Sequence, residues 1–191
     1  MPVNVIAQTA SSRPATPPAD AIHGLPGGAA AAGHALAVLR ILLGAILLWA
    51  FADKVFGLGF ATPAAKSWLA GGSPAAGYLG SLEGSLAGAF RPLAGNMAVD
   101  AAFMLGLMLV GAALVLGVAL RAAAAGGTAL MLLMWLTALP IKTNPVLDEH
   151  IIYAAAMIAL AATGAGRVWG FGRYWTATLA AAPAAVRAAL T

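Results

Sequence analysis

The sequence predicts an all-α integral membrane protein: a four-helix transmembrane bundle with a long helical, interfacial loop between helices one and two. Three observations predict it. The 191 residues are 62% hydrophobic and 8% charged, where a water-soluble domain carries about 25% charge. Apolar stretches recur, several near the roughly 20 residues that cross a bilayer. The few charges sit near the ends of those stretches.

Residues 1–33 read as a disordered tail. Ser11-Ser12-Arg13-Pro14-Ala15-Thr16-Pro17-Pro18 and the Gly27-Gly28 alanine run are low in complexity. No basic segment leads straight into an apolar core, so no cleavable signal peptide is expected. The membrane domain is expected over 34–175. Its first span, 35–56, holds Arg40 near its start and Asp53-Lys54 near its end. The uncharged middle is shorter than a bilayer crossing, so Arg40 must snorkel to one interface while Asp53 and Lys54 reach the other.

Residues 57–99 are rich in Gly, Pro and small side chains. They are expected as a loop with short helices lying on the bilayer surface, Trp68, Tyr78 and Phe90 suiting an interfacial layer. A re-entrant lid over a pocket is the alternative.

The second span is expected over 100–120 and the third over 123–141, with a tight turn between them at Arg121. The fourth is expected over 145–166. Asn144 is placed as its cap and Pro145 in its first turn, and Asp148 and Glu149 suit the positive end of the helix dipole. Arg167 and Arg173 follow, interleaved with Trp169, Phe171, Tyr174 and Trp175. That pattern is an interfacial belt of aromatic and basic residues. Residues 176–191 fit a tail or a surface helix. Small residues, Ala113 with Gly117 and Ala162 with Gly166, are expected to mediate helix contacts.

Several function classes are excluded or disfavoured. The chain has no cysteine, so it can supply no disulfide, thiolate metal site or iron–sulfur ligand. No metal or haem is expected: Met104, Met108, Met131, Met134 and Met157 read as packing residues rather than copper ligands. The net charge of +4 is spread singly, so no nucleic acid is expected as a partner. The same charges serve as topology signals. Four spans put both termini on one side, with Arg40, Arg121, Arg167 and Arg173, and the expected location is the plasma membrane, multi-pass, with cytoplasmic termini.

An up-down topology has one further consequence. The end of helix one, the start of two, the end of three and the start of four share a membrane face. Asp53, Lys54, Asp100, Lys142, Asp148, Glu149 and His150 therefore fall at similar depth, and ionisable groups at that depth usually face an interior or cavity. His150, Tyr153 and Met157 share a stripe of helix four, and Glu149 is spaced to bond Tyr153. An acid and an imidazole among aromatic walls could hold a quinone headgroup or pass it protons. The candidate catalytic residues are Asp53, Asp148 and His150. The candidate quinone-binding residues are Trp49, Trp135 and Tyr153. The competing interpretation is that these charges only cap and anchor helix ends.

Leu39-Arg40-Ile41-Leu42-Leu43-Gly44, Trp49 with Asp53-Lys54-Val55-Phe56-Gly57, Gly72-Ser73-Pro74, and Asn144-Pro145 with Asp148-Glu149-His150 and Tyr153 resemble DoxX-like membrane proteins. The resemblance covers roughly residues 35–175. It implies a four-helix membrane fold and a quinone-linked redox setting, since the family includes DoxD, the large membrane subunit of thiosulfate:quinone oxidoreductase. Two functions follow as expectations: a membrane subunit of such a quinone-linked oxidoreductase, or a non-catalytic anchor or assembly factor for a soluble redox enzyme. A small transporter is a third. The partners implied are the lipid bilayer, a soluble or small redox subunit, and further copies of the chain in a homo-oligomer.

Overall fold

A computed structural model describes residues 28–141, 144 and 146–190. Among these the fold is entirely helical. The helices are α1 (Gly28–Phe56), α2 (Ala76–Gly80), α3 (Ala87–Phe90), α4 (Met97–Leu116), α5 (Leu120–Ala138), α6 (Glu149–Ala162), α7 (Gly172–Thr178) and α8 (Ala184–Leu190). Short 3-10 turns interrupt the connections.

Three of these helices, α1, α4 and α5, are long and apolar enough to cross a membrane. The protein is therefore a membrane protein with apolar helices suited to lipid. The expected fourth span is shorter than predicted. α6 has 14 residues, about 21 Å of rise, against a hydrocarbon core of about 30 Å. Its start is delayed because Asn144 caps a turn rather than a helix: its Oδ1 accepts from the N–H groups of Val146 and Leu147. Asp148 is the true N-cap, accepting from the N–H groups of His150 and Ile151. The far end stops at Gly164, whose left-handed φ of 61° breaks the helix.

α1 departs from expectation in the other direction. Gly28–Gly33, placed in the disordered tail, form its first turns; the rest of that expected tail lies outside the described residues. At 29 residues, α1 rises about 43 Å. Its N-terminal turns run past the end of α4. Here His34 meets the edge of Trp169, ring centroids 5.0 Å apart.

The long helices run antiparallel to their neighbours. On α1 and α4, Arg40 reaches Leu114, Gly44 faces Gly111, and Lys54 lies over the Phe103 ring. Gly106 meets Leu130, and Gly127 meets Val110, across α4 and α5. Gly127 also meets Met157 on α6, while Trp135 reaches Val146 ahead of α6. The core fills along these seams with Leu43 and Leu47, Met104, Leu107, Val110 and Leu114, Met131, and Met157 and Leu160. On α4 those positions recur every three or four residues, as one helix face requires. Leu105 and Leu109 point outward beside them. Helices apolar on all sides need lipid rather than water around them. Close approach comes from small residues, as predicted, though the principal crossing is Gly44 on Gly111. Gly117 and Gly166 meet each other instead, backbone to backbone.

The 57–96 connection is folded rather than spread out. Ala75, Leu79, Leu82 and Ala87 form a second small core, with Phe90, Val99 and Phe103 packed against it. The Tyr78 hydroxyl lies 2.6 Å from that of Thr137 near the end of α5. This ties the connection to the bundle end where α1 and α5 finish and α4 and α6 begin.

Candidate functional site

The antiparallel order brings the expected acids to one end, and each carboxylate is used there. Asp53, in the last turns of α1, is 2% exposed. Its oxygens accept from the N–H groups of Phe60, at 3.3 Å, and Ala61, at 3.0 Å. Gly57 turns the chain back through a left-handed φ of 65°, which a glycine adopts without steric cost. Asp53 thus satisfies the donors exposed by that turn. Asp100, in the first turn of α4, accepts from the N–H of Ala75 at 2.9 Å and pins the second small core to the bundle.

Asp148 does two things at once. Oδ1 caps α6, and Oδ2 lies 2.8 Å from Nδ1 of His150. Burial pushes its carboxyl up. The hydrogen bond and charge of His150, with the N–H groups of Ile151 and His150, outweigh this and hold it below the usual carboxylate range. It precedes the first turn of α6. The His150 side chain is 14% exposed. Below it on the same stripe come half-buried Tyr153 and buried Met157, so this stripe turns inward. The spaced Glu149–Tyr153 hydrogen bond is not formed.

Each candidate aromatic wall residue has contacts of its own. Trp49 is 51% exposed and packs edge-on to exposed Phe60, centroids 5.1 Å apart. Trp135 donates from Nε1 to the carbonyl oxygen of Val146 at 2.8 Å, holding the segment before α6 against α5. Tyr153 packs against the main core. Lys142 lies outside the described residues. Among the described residues no group of three or more His, Asp or Glu could hold a metal ion.

Two cavities lie at the opposite end of the bundle. One, of about 400 Å³, is a groove in which Ala124, Ala125 and Thr128 of α5 face Ile158, Ala161 and Ala162 of α6, with Arg121 at its end. The other, of about 50 Å³, lies among Gly117, Leu120, Gly164, Arg167 and Trp175. None of the six candidate residues lines either cavity.

Arg40 is also placed differently from expectation. It does not snorkel: it is fully buried. Its guanidinium donates to the carbonyl oxygens of Leu114 and Val115 at the end of α4, and of Val168 and Trp169 beyond α6. A cation beside the last carbonyls of α4 is where the helix dipole favours it. The surrounding backbones approach closely enough that a Cβ on Gly117, Gly166, Gly170 or Gly172 would strike main chain, and one on Gly117 or Gly170 would also strike the guanidinium. The alternating glycines of Gly164-Ala165-Gly166 and Gly170-Phe171-Gly172 were the signal for this packing.

No family model, curated protein or solved structure matches the chain.

Proposed function

We propose that the chain is a four-helix membrane subunit of a quinone-linked oxidoreductase and serves as its membrane-embedded scaffold. The DoxX-like resemblance supplies the redox setting. α6 is taken as the fourth element of the bundle, with Asp148 ahead of its first turn. The orientation proposed is multi-pass in the plasma membrane, termini on the cytoplasmic side with Arg121, Arg167 and Arg173.

The observation that supports a scaffold is the use of the acids. Asp53 and Asp100 fasten the 57–96 connection, and Asp148 caps α6. The folded connection presents a surface at the acidic end on which a soluble or small redox subunit can dock. Affinity purification from native membranes in mild detergent tests this. Co-purification of a soluble oxidoreductase, retained when His150 is replaced by Ala, is the expected result. A chain recovered alone would count against it.

A second reading, direct quinone chemistry, is favoured by one observation: the inward-facing His150 oriented by Asp148. A carboxylate that fixes the imidazole tautomer is a common arrangement for proton transfer. Quinone that co-purifies with the chain and is lost in His150→Ala, with quinone reduction by thiosulfate lost in parallel, would select this reading over the scaffold.

A further inference from the structure

We infer that the groove between α5 and α6 is a binding site for an anionic phospholipid, its headgroup phosphate against Arg121 and one acyl chain laid along the alanines. This rests on the protein being membrane-embedded and is independent of any redox role.

The shape comes from spacing. Arg121, Ala124, Ala125 and Thr128 follow one another at three- and four-residue steps on α5, and Ile158, Ala161 and Ala162 do so on α6. Each set therefore forms one face of its helix. Alanines on facing helices leave the space that larger side chains would fill. The result is an open trough of about 400 Å³, a shape that suits an acyl chain lying along the protein surface. Apart from the Thr128 hydroxyl, its walls are apolar until Arg121 is reached.

Charge identifies the occupant. Among the described residues every acid, Asp53, Glu83, Asp100, Asp148 and Glu149, lies in the connection or at the acidic end, and the chain holds no Asp or Glu after Glu149. The groove ends instead beside Arg121, in the first turn of α5. The N-cap of that helix, Ala119, provides no side-chain cap, so its first N–H groups and its dipole also favour an anion. Arg167 lines the neighbouring small cavity together with Leu120. One Nη of Arg121 donates to the carbonyl oxygen of Ala188 at 3.1 Å, which fixes the guanidinium at the mouth and leaves most of its five donors for a phosphate. A cation at the end of an apolar trough between membrane helices matches a molecule that is anionic at one end and hydrocarbon along the rest.

Native mass spectrometry of the full chain tests this, with phosphatidylglycerol and phosphatidylcholine of identical acyl chains offered in equal amounts. The expected result is one phosphatidylglycerol retained in preference to phosphatidylcholine. Arg121→Gln should weaken that preference by about fivefold, as expected for one basic side chain near a membrane surface. Ala125→Phe, a change at an exposed position that fills the trough, should reduce retention of both lipids while the melting temperature stays within a few degrees of wild type. Equal retention of the two lipids by the unaltered chain, or an unchanged preference in Arg121→Gln, would overturn the proposal. So would an Ala125→Phe chain that keeps its lipid but loses a dimer, because the groove would then seat a second copy.

Discussion

Arg40 on α1 donates from Nη1 to the carbonyl oxygen of Val115 in the last turn of α4, 2.8 Å away. The same guanidinium reaches Val168 and Trp169, so one side chain closes α1, α4 and the segment after α6 into a single end. Hydrogen bonds from a charged donor contribute more than neutral ones, and removing the donor takes that partner from the part-buried carbonyls of Val115, Val168 and Trp169. Arg40→Met is expected to destabilise the protein by about 1.5–3 kcal/mol, as loss of hydrogen bonds from a charged group does, read as loss of thermal stability in detergent. Arg40→Lys keeps the charge but not the planar fork, and should fall between the two.

Asp53 acts locally. Its carboxylate holds the N–H groups of Phe60 and Ala61, and Asp53→Ala leaves both donors without it. The expected loss is about 1–3 kcal/mol, with faster amide hydrogen exchange concentrated in residues 57–62. Asp53→Asn retains one acceptor oxygen and should lose less. An Asp53→Ala protein with wild-type exchange but defective quinone reduction would support a catalytic role for Asp53.

The helical membrane fold was legible because lipid imposes a simple rule on composition: long apolar runs with charges kept toward their ends. The collection of acids at one end was legible too, since antiparallel order follows from the run of spans and turns. Side-chain destinations were not. Near the end of an apolar run, snorkelling into water and donating to the carbonyls of a neighbouring helix look alike in sequence, and only the glycines at 117, 166, 170 and 172 separate the two for Arg40. The start of α6 was misread for a related reason. Asn144 and Asp148 are both good caps, and Asn144 spends its oxygen on Val146 and Leu147. Spacing along a helix does not tell which way an aromatic side chain turns: Trp49 is exposed on α1, and the Trp135 indole donates to Val146.

The Asp148–His150 pair makes the start of α6 sensitive to acid. The folded-state carboxyl of Asp148 titrates below its ordinary range, so its stabilisation is fully present above the unfolded value, about 3.9. It is lost as pH falls through the lower folded value. Fraying of α6 is therefore expected below about pH 4, followed by hydrogen exchange at His150 and Ile151. Asp148→Ala should remove that acid transition and cost about 1 kcal/mol at neutral pH, as loss of an N-cap does. Asp148→Asn, a comparable cap, should remove the transition at a smaller cost.

The crossing of α1 and α4 gives the sharpest steric prediction. A Cβ on Gly44 would lie 2.8 Å from the carbonyl oxygen of Gly111 and 2.9 Å from the backbone nitrogen of Val115. Neither is the free end of a side chain, so a methyl group can enter only if the helices move apart. That motion would also lengthen the bonds from Arg40 to the end of α4. Gly44→Ala is therefore expected to destabilise by about 1–3 kcal/mol, the range for overpacking a tight site, despite the better helix propensity of alanine. Gly77 on α2 is the control: nothing lies within 4 Å of a Cβ there. Gly77→Ala should be neutral or stabilising by up to about 1 kcal/mol. Parallel thermal melts in the same detergent check the contrast, and equal effects of the two substitutions would show that α1 and α4 are not in contact at Gly44.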